Sequence, residues 1–310
     1  MSAAEARIAI AAATYNRPDG LAKLLDGLAV LVIPHGIEAW VVIVDNSAEG
    51  TAREQVEGRV AGFPFPLHYR HEPEPGITQA RNAALADAVD RKADWIAFID
   101  DDEWPEPDWL RVLASRRADG VSAIFGSVLP VFESTPPRWI ERSPFYEVKR
   151  AEDGAELETG HCGNCLIRLA DVTACGLEFD AGYALSGGED TLFFRELRRC
   201  AGTLVSAPGA IVRESVPASR MSLRWLMRRW ERTGNTDSRI ALDESGGRAR
   251  LKTLTSGLGR TAIGGAMAVA TAPFALLGRA EVPAAKVRIM SRGIGFVRTA
   301  LGTITQEYRR

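Results

Sequence analysis

Residues 95–103 read WIAFIDDDE, and the fold follows from how this stretch is read. Five apolar residues, Trp95–Ile99, suit a buried strand and are too few for a helix. A strand apolar on both faces belongs inside a parallel sheet covered by helices on both sides. Upstream, Ile8–Ala13 and Trp40–Val44 are similar runs, ending at Thr14-Tyr15-Asn16-Arg17-Pro18 and at Asp45, and Leu67–Arg70 reads as a further strand. Between them, Leu21, Leu24, Leu25 and Leu28 repeat at helical spacing, and Ile77–Val89 places Ala80, Ala84, Leu85 and Val89 along one helix side. This alternation predicts an α/β chain with a mostly parallel, twisted sheet and helices on both faces. Ligands of such sheets bind at the carboxyl ends of the strands, where Thr14–Arg17, Asp45 and Asp100–Asp102 all fall.

Downstream, Val121–Val131 reads as a strand, 132–160 as a long Pro-rich loop over the site, and Cys165–Arg168 as a strand again. Gly187-Gly188-Glu189-Asp190 opens a helix through Cys200, and Thr203–Ser206 and Ile211–Val212 read as two short strands. From about Arg220 the character changes. Leu223, Leu226, Met227 and Trp230 form an apolar face beside Arg224, Arg228, Arg229 and Arg232. Residues 261–278 carry no charge and are bracketed by Arg260 and Arg279, a length at the short end for crossing a bilayer. Val287, Met290, Ile294, Val297 and Leu301 then recur at amphipathic spacing. A basic amphipathic helix of this kind can lie on an anionic membrane surface. Two domains are expected, a catalytic 1–215 and a helical, basic and apolar extension over 216–310.

At 310 residues, 46% apolar and 25% charged, this is an ordinary globular composition. Residues 1–212 hold 20 Lys/Arg against 33 Asp/Glu, and residues 213–310 hold 18 against 7. An acidic body suits a cation-assisted site and a basic tail an anionic partner. Four cysteines are too few for a disulfide scaffold. Cys162 and Cys165 form one C-x-x-C, Cys175 and Cys200 form no second one, and all four are expected as buried thiols rather than zinc ligands. The amino-terminal apolar run is short and leads into a polar loop, unlike a secretory signal. No P-loop occurs, and Gly257-x-Gly259-x-x-Ala262 follows no strand, so it is not a dinucleotide site.

Three adjacent carboxylates repel one another, and a divalent cation removes that repulsion. Mg2+ or Mn2+ takes one or two carboxylates and fills its shell with phosphate oxygens and water. An EF-hand is excluded by Pro105, which stands where that loop needs Gly. Asp45 can accept from a base N–H or a sugar hydroxyl, or cap a helix. Arg81, on the helix after Pro75-Gly76, can face a diphosphate or a base. In the first turn of the Gly187-Gly188 helix, Asp190 can take a proton from an attacking hydroxyl, or cap the helix with Glu189.

The strings IAIAAATYNRPDGL, VVIVDNS, PGITQARNAAL, WIAFIDDDEWPEPDWL and GGEDTLFFRELRRCAG resemble, in order and spacing, the family 2 inverting glycosyltransferases of GT-A fold. The similarity covers about residues 7–215. With SVPASRMSLRWLMRRWERTGN, it is closest in character to bacterial glucosyltransferases that extend lipid-linked exopolysaccharide repeats of the succinoglycan type. The resemblance implies that Thr14, Asn16, Arg17, Asp45, Gly76, Arg81, Asp100 and Asp101 line the nucleotide pocket. It puts Asp45 on the base, Asp101 on the ribose side, Asp102 on the metal and Asp190 in the role of base. Glu189, Asn164 and His161 would contact acceptor or donor sugar, with Glu214 near donor or metal. Processive relatives carry Q-x-x-R-W, whereas Leu226-Met227-Arg228-Arg229-Trp230 lacks the Gln, which implies transfer of one sugar.

The expected reaction moves a hexose, glucose foremost, from a UDP-sugar to a lipid-linked glycan, with Mg2+ or Mn2+ as cofactor. The expected location is cytoplasmic, peripheral on the inner face of the plasma membrane, and no nucleic-acid partner is expected. The rival readings are a sugar-phosphate nucleotidyltransferase, whose Gly-rich basic loop is missing from Ala11–Asp19, and a non-catalytic carbohydrate- or lipid-binding protein.

Overall fold

The computed structural model describes residues 6–147, 151–184, 187–245 and 249–303. In chain order the elements are β1 (Ala6–Thr14), α1 (Pro18–Ala29), β2 (Ile37–Asp45), α2 (Arg53–Val60), β3 (Leu67–His71), α3 (Ile77–Asp90) and β4 (Trp95–Ile99). Then come β5 (Glu103–Pro105), α4 (Trp109–Ala114), β6 (Val121–Phe132), α5 (Arg138–Glu141), β7 (Glu156–Leu157), β8 (Asn164–Arg168), α6 (Leu169–Cys175), α7 (Glu189–Cys200) and β9 (Thr203–Val216). The last helices are α8 (Leu223–Glu244), α9 (Arg250–Thr271), α10 (Pro273–Leu276) and α11 (Glu281–Ala300). The chain divides into two compact units, one of 1–130, 148–184 and 189–215, the other of 131–147, 185–188 and 216–310.

In the first unit the α/β sheet is present, with strand order β3-β2-β1-β4-β8-β6-β9-β5 and β7 beside β9. The half built from β3, β2, β1 and β4 is parallel. Beyond β4 the sheet turns antiparallel, at β4–β8, β6–β8 and β5–β9. The parallel strands are apolar on both faces because each face has its own core. Ile8, Ile10, Val41 and Ile43 pack with Leu21, Leu24, Leu25 and Leu28 of α1 on one side. Ala9, Ala11, Val42 and Val44 pack with Ala80, Ala84 and Ala88 of α3 on the other. Since side chains alternate along a strand, each run divides cleanly between the two cores.

Several expectations need correction. The two short strands around 203–212 are one strand, β9. Pro208 cannot donate to a ladder, but β7 pairs with β9 at Leu204 and Val205 and β5 pairs with it at Val212–Glu214, so the Pro-Gly pair does not end it. The stretch 132–160 is not one long loop. It contains α5 and β7, and residues 131–147 belong to the second unit, where Phe132, Ile140, Phe145 and Tyr146 pack with Leu226 and Trp230 of α8. Residues 148–150 of that stretch lie outside the described residues. Cys175 and Cys200, expected as thiols, form a disulfide joining the carboxyl ends of α6 and α7, which lie 6.1 Å apart at Cα. Cys162 and Cys165 are buried free thiols, as read.

The second unit is helical. The apolar stripe expected on α11 is not its buried face. Ala284, Ser291, Gly293, Gly295 and Ala300 are buried instead, and Leu301 is exposed. A Cβ at Gly257 or Gly264 of α9 would lie 2.8 Å from Val297 N and 2.5 Å from Met290 N. One at Gly295 would meet Asn235 N of α8 at 2.5 Å. α11 therefore packs backbone to backbone against both α8 and α9, which large apolar side chains on the buried face would prevent.

Candidate active site

The sequence-predicted residues of the first unit gather at the carboxyl ends of β1, β2 and β4 and the amino ends of α3 and α7. At the end of β4, Asp101 is buried. Its carboxylate accepts from Thr14 Oγ1 at 2.9 Å and from Arg17 Nη1 at 2.8 Å. Burial first, then Asp102 and Asp100, raise its pKa to about 6 against the pull of Arg17 and the Thr14 hydrogen bond. Arg17 also pairs with Asp102 at 3.1 Å. Asn16 sits in the left-handed region at φ 52°, which Asn tolerates, and its Oδ1 accepts from Thr51 Oγ1.

Arg81 spans the site. It is 6% exposed, and its guanidinium pairs with Glu189 of α7 and, at 3.4 Å, with Asp100. Burial works against its charge, but Cys162, Glu189, Asp100 and Asp190 outweigh it and hold the pKa well above the ordinary value. The Asp100 pKa is raised, first by desolvation and then by Asp102 and Asp190, despite Arg81. Beside Glu189, Asp190 accepts from Thr191 N at 2.6 Å and faces His161 Nδ1 at 3.4 Å. Burial alone would raise the Asp190 pKa. His161, Arg81 and the Thr191 N–H overcome it and hold it at about 2. The same contact with Asp190 raises the pKa of His161.

Two predicted residues are absorbed by the protein itself. Asn164 is buried on β8. It accepts from Trp109 Nε1 at 2.8 Å and donates to Ser127 O at 3.0 Å and Ala210 O at 2.8 Å. Both of its amide hydrogens and its oxygen serve to clamp β6, β9 and α4, a structural task beside the sugar contact expected of it. Asp45, fully buried, accepts from Ser47 N, Ala52 N and Tyr69 Oη. Ala52 is the N-cap of α2, so Asp45 holds the start of that helix to the end of β2. Tyr69 in turn is pushed to a pKa of about 12, by burial first and then by Asp45.

Sequence reasoning passed over Asn46 and Glu103. Asn46 donates to Glu72 O and Glu74 O, each at 2.7 Å, and accepts from Gly76 N at 3.1 Å. It thus holds the turn before α3. Gly76 has φ +143°, and a side chain there would also press on Ala184, whose Cβ is 2.8 Å away. Glu103 is buried beside Asp100 and stands in register with Glu214 across β5–β9. Burial first, then Asp100, Asp102 and Glu214, raise its pKa well above the usual range. It followed the acidic run in plain sight, but a three-residue strand has no periodicity to betray burial.

Among the described residues, no three His, Cys, Asp or Glu side chains form a metal cage. Asp102 nonetheless raises the proton affinity of Asp100, and both raise that of Glu103, a crowding of charge that a cation would relieve. A cation shared with a diphosphate needs only one or two of them, so the residues fit that kind of binding. An open cleft of about 720 Å³ lies elsewhere, at the amino ends of β1 and β4, lined by Val89, Trp95 and Leu169.

The family model described as glycosyl transferase family 2 matches residues 9–175. Succinoglycan biosynthesis protein ExoM of Rhizobium meliloti (strain 1021) is 37% identical over 241 residues, covering 77% of each chain. S. aureus TarS 1-349 in complex with UDP superposes with a TM-score of 0.54 at 16% identity, covering 96% of this chain and 92% of that one. Against another structure of that fragment the match spans 63% of the TarS chain. GalNAc-T7 with UDP, GalNAc and Mn2+ gives a TM-score of 0.54 at 14% identity, covering 77% of this chain and 51% of the other.

Proposed function

Because the chain belongs to glycosyl transferase family 2, we propose that this glycosyltransferase moves a hexose, glucose foremost, from a UDP-sugar to a hydroxyl of a lipid-linked glycan in exopolysaccharide synthesis. One observation carries the reading. Arg81 ties the acidic end of β4 to the Glu189-Asp190 pair of α7, so a diphosphate site and a carboxylate base adjoin. UDP is chosen because TarS and GalNAc-T7, which share the fold, have structures with UDP, and exopolysaccharide synthesis because ExoM is a succinoglycan protein.

The acceptor hydroxyl attacks the anomeric carbon as the bond to the leaving diphosphate breaks. Asp190 takes the hydroxyl proton, which general-base positioning supports by about 10²–10⁴-fold. His161 keeps Asp190 ionised and oriented. Glu189, fixed by Arg81, stands on the acceptor side. Thr14 and Arg17 orient Asp101, and with Asn16, Gly76 and Asp100 they would form the wall around the nucleotide. Asp45 acts chiefly by shaping the turn at β2. Asp102 would hold Mg2+ or Mn2+, which would act as a Lewis acid on the leaving diphosphate. A single in-line displacement inverts the anomeric centre.

The test pairs binding with turnover for the wild type and Asp190→Asn. UDP-glucose with Mn2+ or Mg2+ is expected to raise the melting temperature of both equally. Transfer to a lipid-linked acceptor is expected to fall by about 10²–10⁴-fold in the variant. Wild-type turnover in Asp190→Asn would remove the base. A wild type indifferent to every nucleotide sugar would remove the donor assignment.

A further inference from the structure

The uncharged segment of the second unit has an unusual surface. On a helix of about 100° per residue, positions 262, 263, 266, 267, 269 and 270 fall within an arc of about 160°. All six residues are apolar and exposed. The opposite side of α9 carries Gly257 and Gly264, closed against α11. The apolar face then continues without a break through α10. Phe274 is exposed, and Leu276 and Leu277 stand 91% and 75% exposed. From Ala272 to Leu277 every residue is apolar and exposed. This is a long apolar surface for a protein to leave in water.

The surrounding charge decides what covers it. Residues 249–303 hold eight Lys/Arg, namely Arg250, Lys252, Arg260, Arg279, Lys286, Arg288, Arg292 and Arg298, against the single acid Glu281. Arg260 and Arg279 stand at the two ends of the apolar segment, and both are exposed. Arg260 lies over the Phe296 ring of α11 at 4.6 Å, and Arg279, which also pairs with Glu281 at 3.5 Å, lies 6.0 Å from the Phe274 ring of the apolar face. Arg288 is crowded by like charge. Burial lowers its pKa first, and Arg292 and Arg229 lower it further. A second copy of the chain applied to this face would bring the same cations against one another. An anionic lipid surface offers acyl chains for the apolar face and headgroups for the arginines.

We propose that the apolar face of α9 and α10, centred on Ile263, Met267, Phe274, Leu276 and Leu277, inserts into one leaflet of an anionic membrane, with Arg260 and Arg279 at headgroup level. Among the described residues no helix is long and apolar enough to cross a membrane, so the segment enters from one side and leaves on the same side. The expected amphipathic stripe of α11 is not the contact, because that helix packs against α8 and α9. The lipid surface is a partner of the second unit, and its assignment does not rest on the sugar-transfer reading.

The test is flotation of the full-length protein with vesicles of phosphatidylcholine alone or with about one third phosphatidylglycerol, which supplies the anionic surface. The wild type is expected to float with the anionic vesicles and to be released by high salt. The double variant Leu276→Asp/Leu277→Asp changes only exposed side chains. It is expected to lose at least about tenfold in vesicle affinity with an unchanged melting temperature. Its nucleotide-induced thermal shift without vesicles should equal the wild type's, which separates this outcome from any failure of the donor assignment. Equal flotation of wild type and variant would overturn the proposal. So would a wild type that ignores every vesicle, above all if sedimentation showed a dimer that the double variant abolishes.

Discussion

In the sheet unit the charged groups are inside. Arg81, Asp101, Glu103 and Glu189 are all buried, and around them the apolar strands lie almost wholly out of water. In the helical unit the relation is reversed. Glycine, alanine and serine fill the interfaces of α11, while Leu251, Leu276 and Leu277 face solvent. Burying charge is unfavourable unless it is paired, and exposing leucine is unfavourable unless something covers it. Each unit therefore carries an unfavourable feature that a ligand would relieve, and the two ligands differ in kind. The acidic strand ends suit a cation and a diphosphate, the apolar helix face an acyl layer.

The contrast can be broken first at the helix interface. Gly295→Val places side-chain atoms against the backbone of Glu231 and Asn235. Overpacking of this sort costs about 1–3 kcal/mol, or more where backbone must move. The second unit should melt earlier in calorimetry, while nucleotide-induced stabilisation of the sheet unit persists. Loss of both together would show that the units fold as one.

A second test addresses the buried charge. The Asp101 pKa is about 6 in the fold against about 3.8 for the free group. Its carboxyl binds a proton more readily folded than unfolded, so its contribution to stability falls as pH rises from about 4 to 6. Two pKa units correspond to about 3 kcal/mol, of which a third to all should be measurable. Asp101→Asn is therefore expected to melt higher than wild type at pH 8 and at nearly the same temperature at pH 4. A variant that is less stable at pH 8 would mean that Thr14 and Arg17 more than offset the burial.

The smallest effect concerns His161, whose side chain is largely exposed. Without it, burial dominates at Asp190, so the Asp190 pKa rises and the acid limb of kcat/KM moves to higher pH. The stability side has a defined window. Asp190 is depressed to about 2, so its share is present above about 4 and lost toward pH 2. His161 is raised above 6.5, so its share is full below that value and lost as pH climbs through its folded pKa. His161→Ala should then differ most from wild type between about pH 4 and 6.5. Superimposable pH–rate profiles would separate His161 from Asp190.

What the sequence revealed tracks how local each signal is. Trp95–Ile99 is a strand with the expected bounds, because a run buried on both faces needs no knowledge of its neighbours. The polar end of β1 and the acidic ends of β2 and β4 follow from the same runs, and the structure brings Thr14, Arg17 and Asp100–Asp102 together. The face of α11 was not legible, since glycines that look like weak helix formers are where the neighbouring backbones approach. The sugar contact expected of Asn164 rests only on the family resemblance, which places it on a strand facing the site. Only the positions of Trp109, Ser127 and Ala210 reveal that its hydrogen bonds are used. Cys175 and Cys200 lie 25 residues apart, and no spacing rule pairs them.

That disulfide also fixes how the region carrying Glu189 and Asp190 behaves when the chain is cut. Residues 175–200 form a covalently closed ring. A protease that nicks the ring once leaves a single molecule, which runs at full mass on a gel without reductant and as two pieces with it. The amino-terminal strands and α7 thus stay tethered after a cut between Cys175 and the start of α7, and a chain nicked there can retain its site.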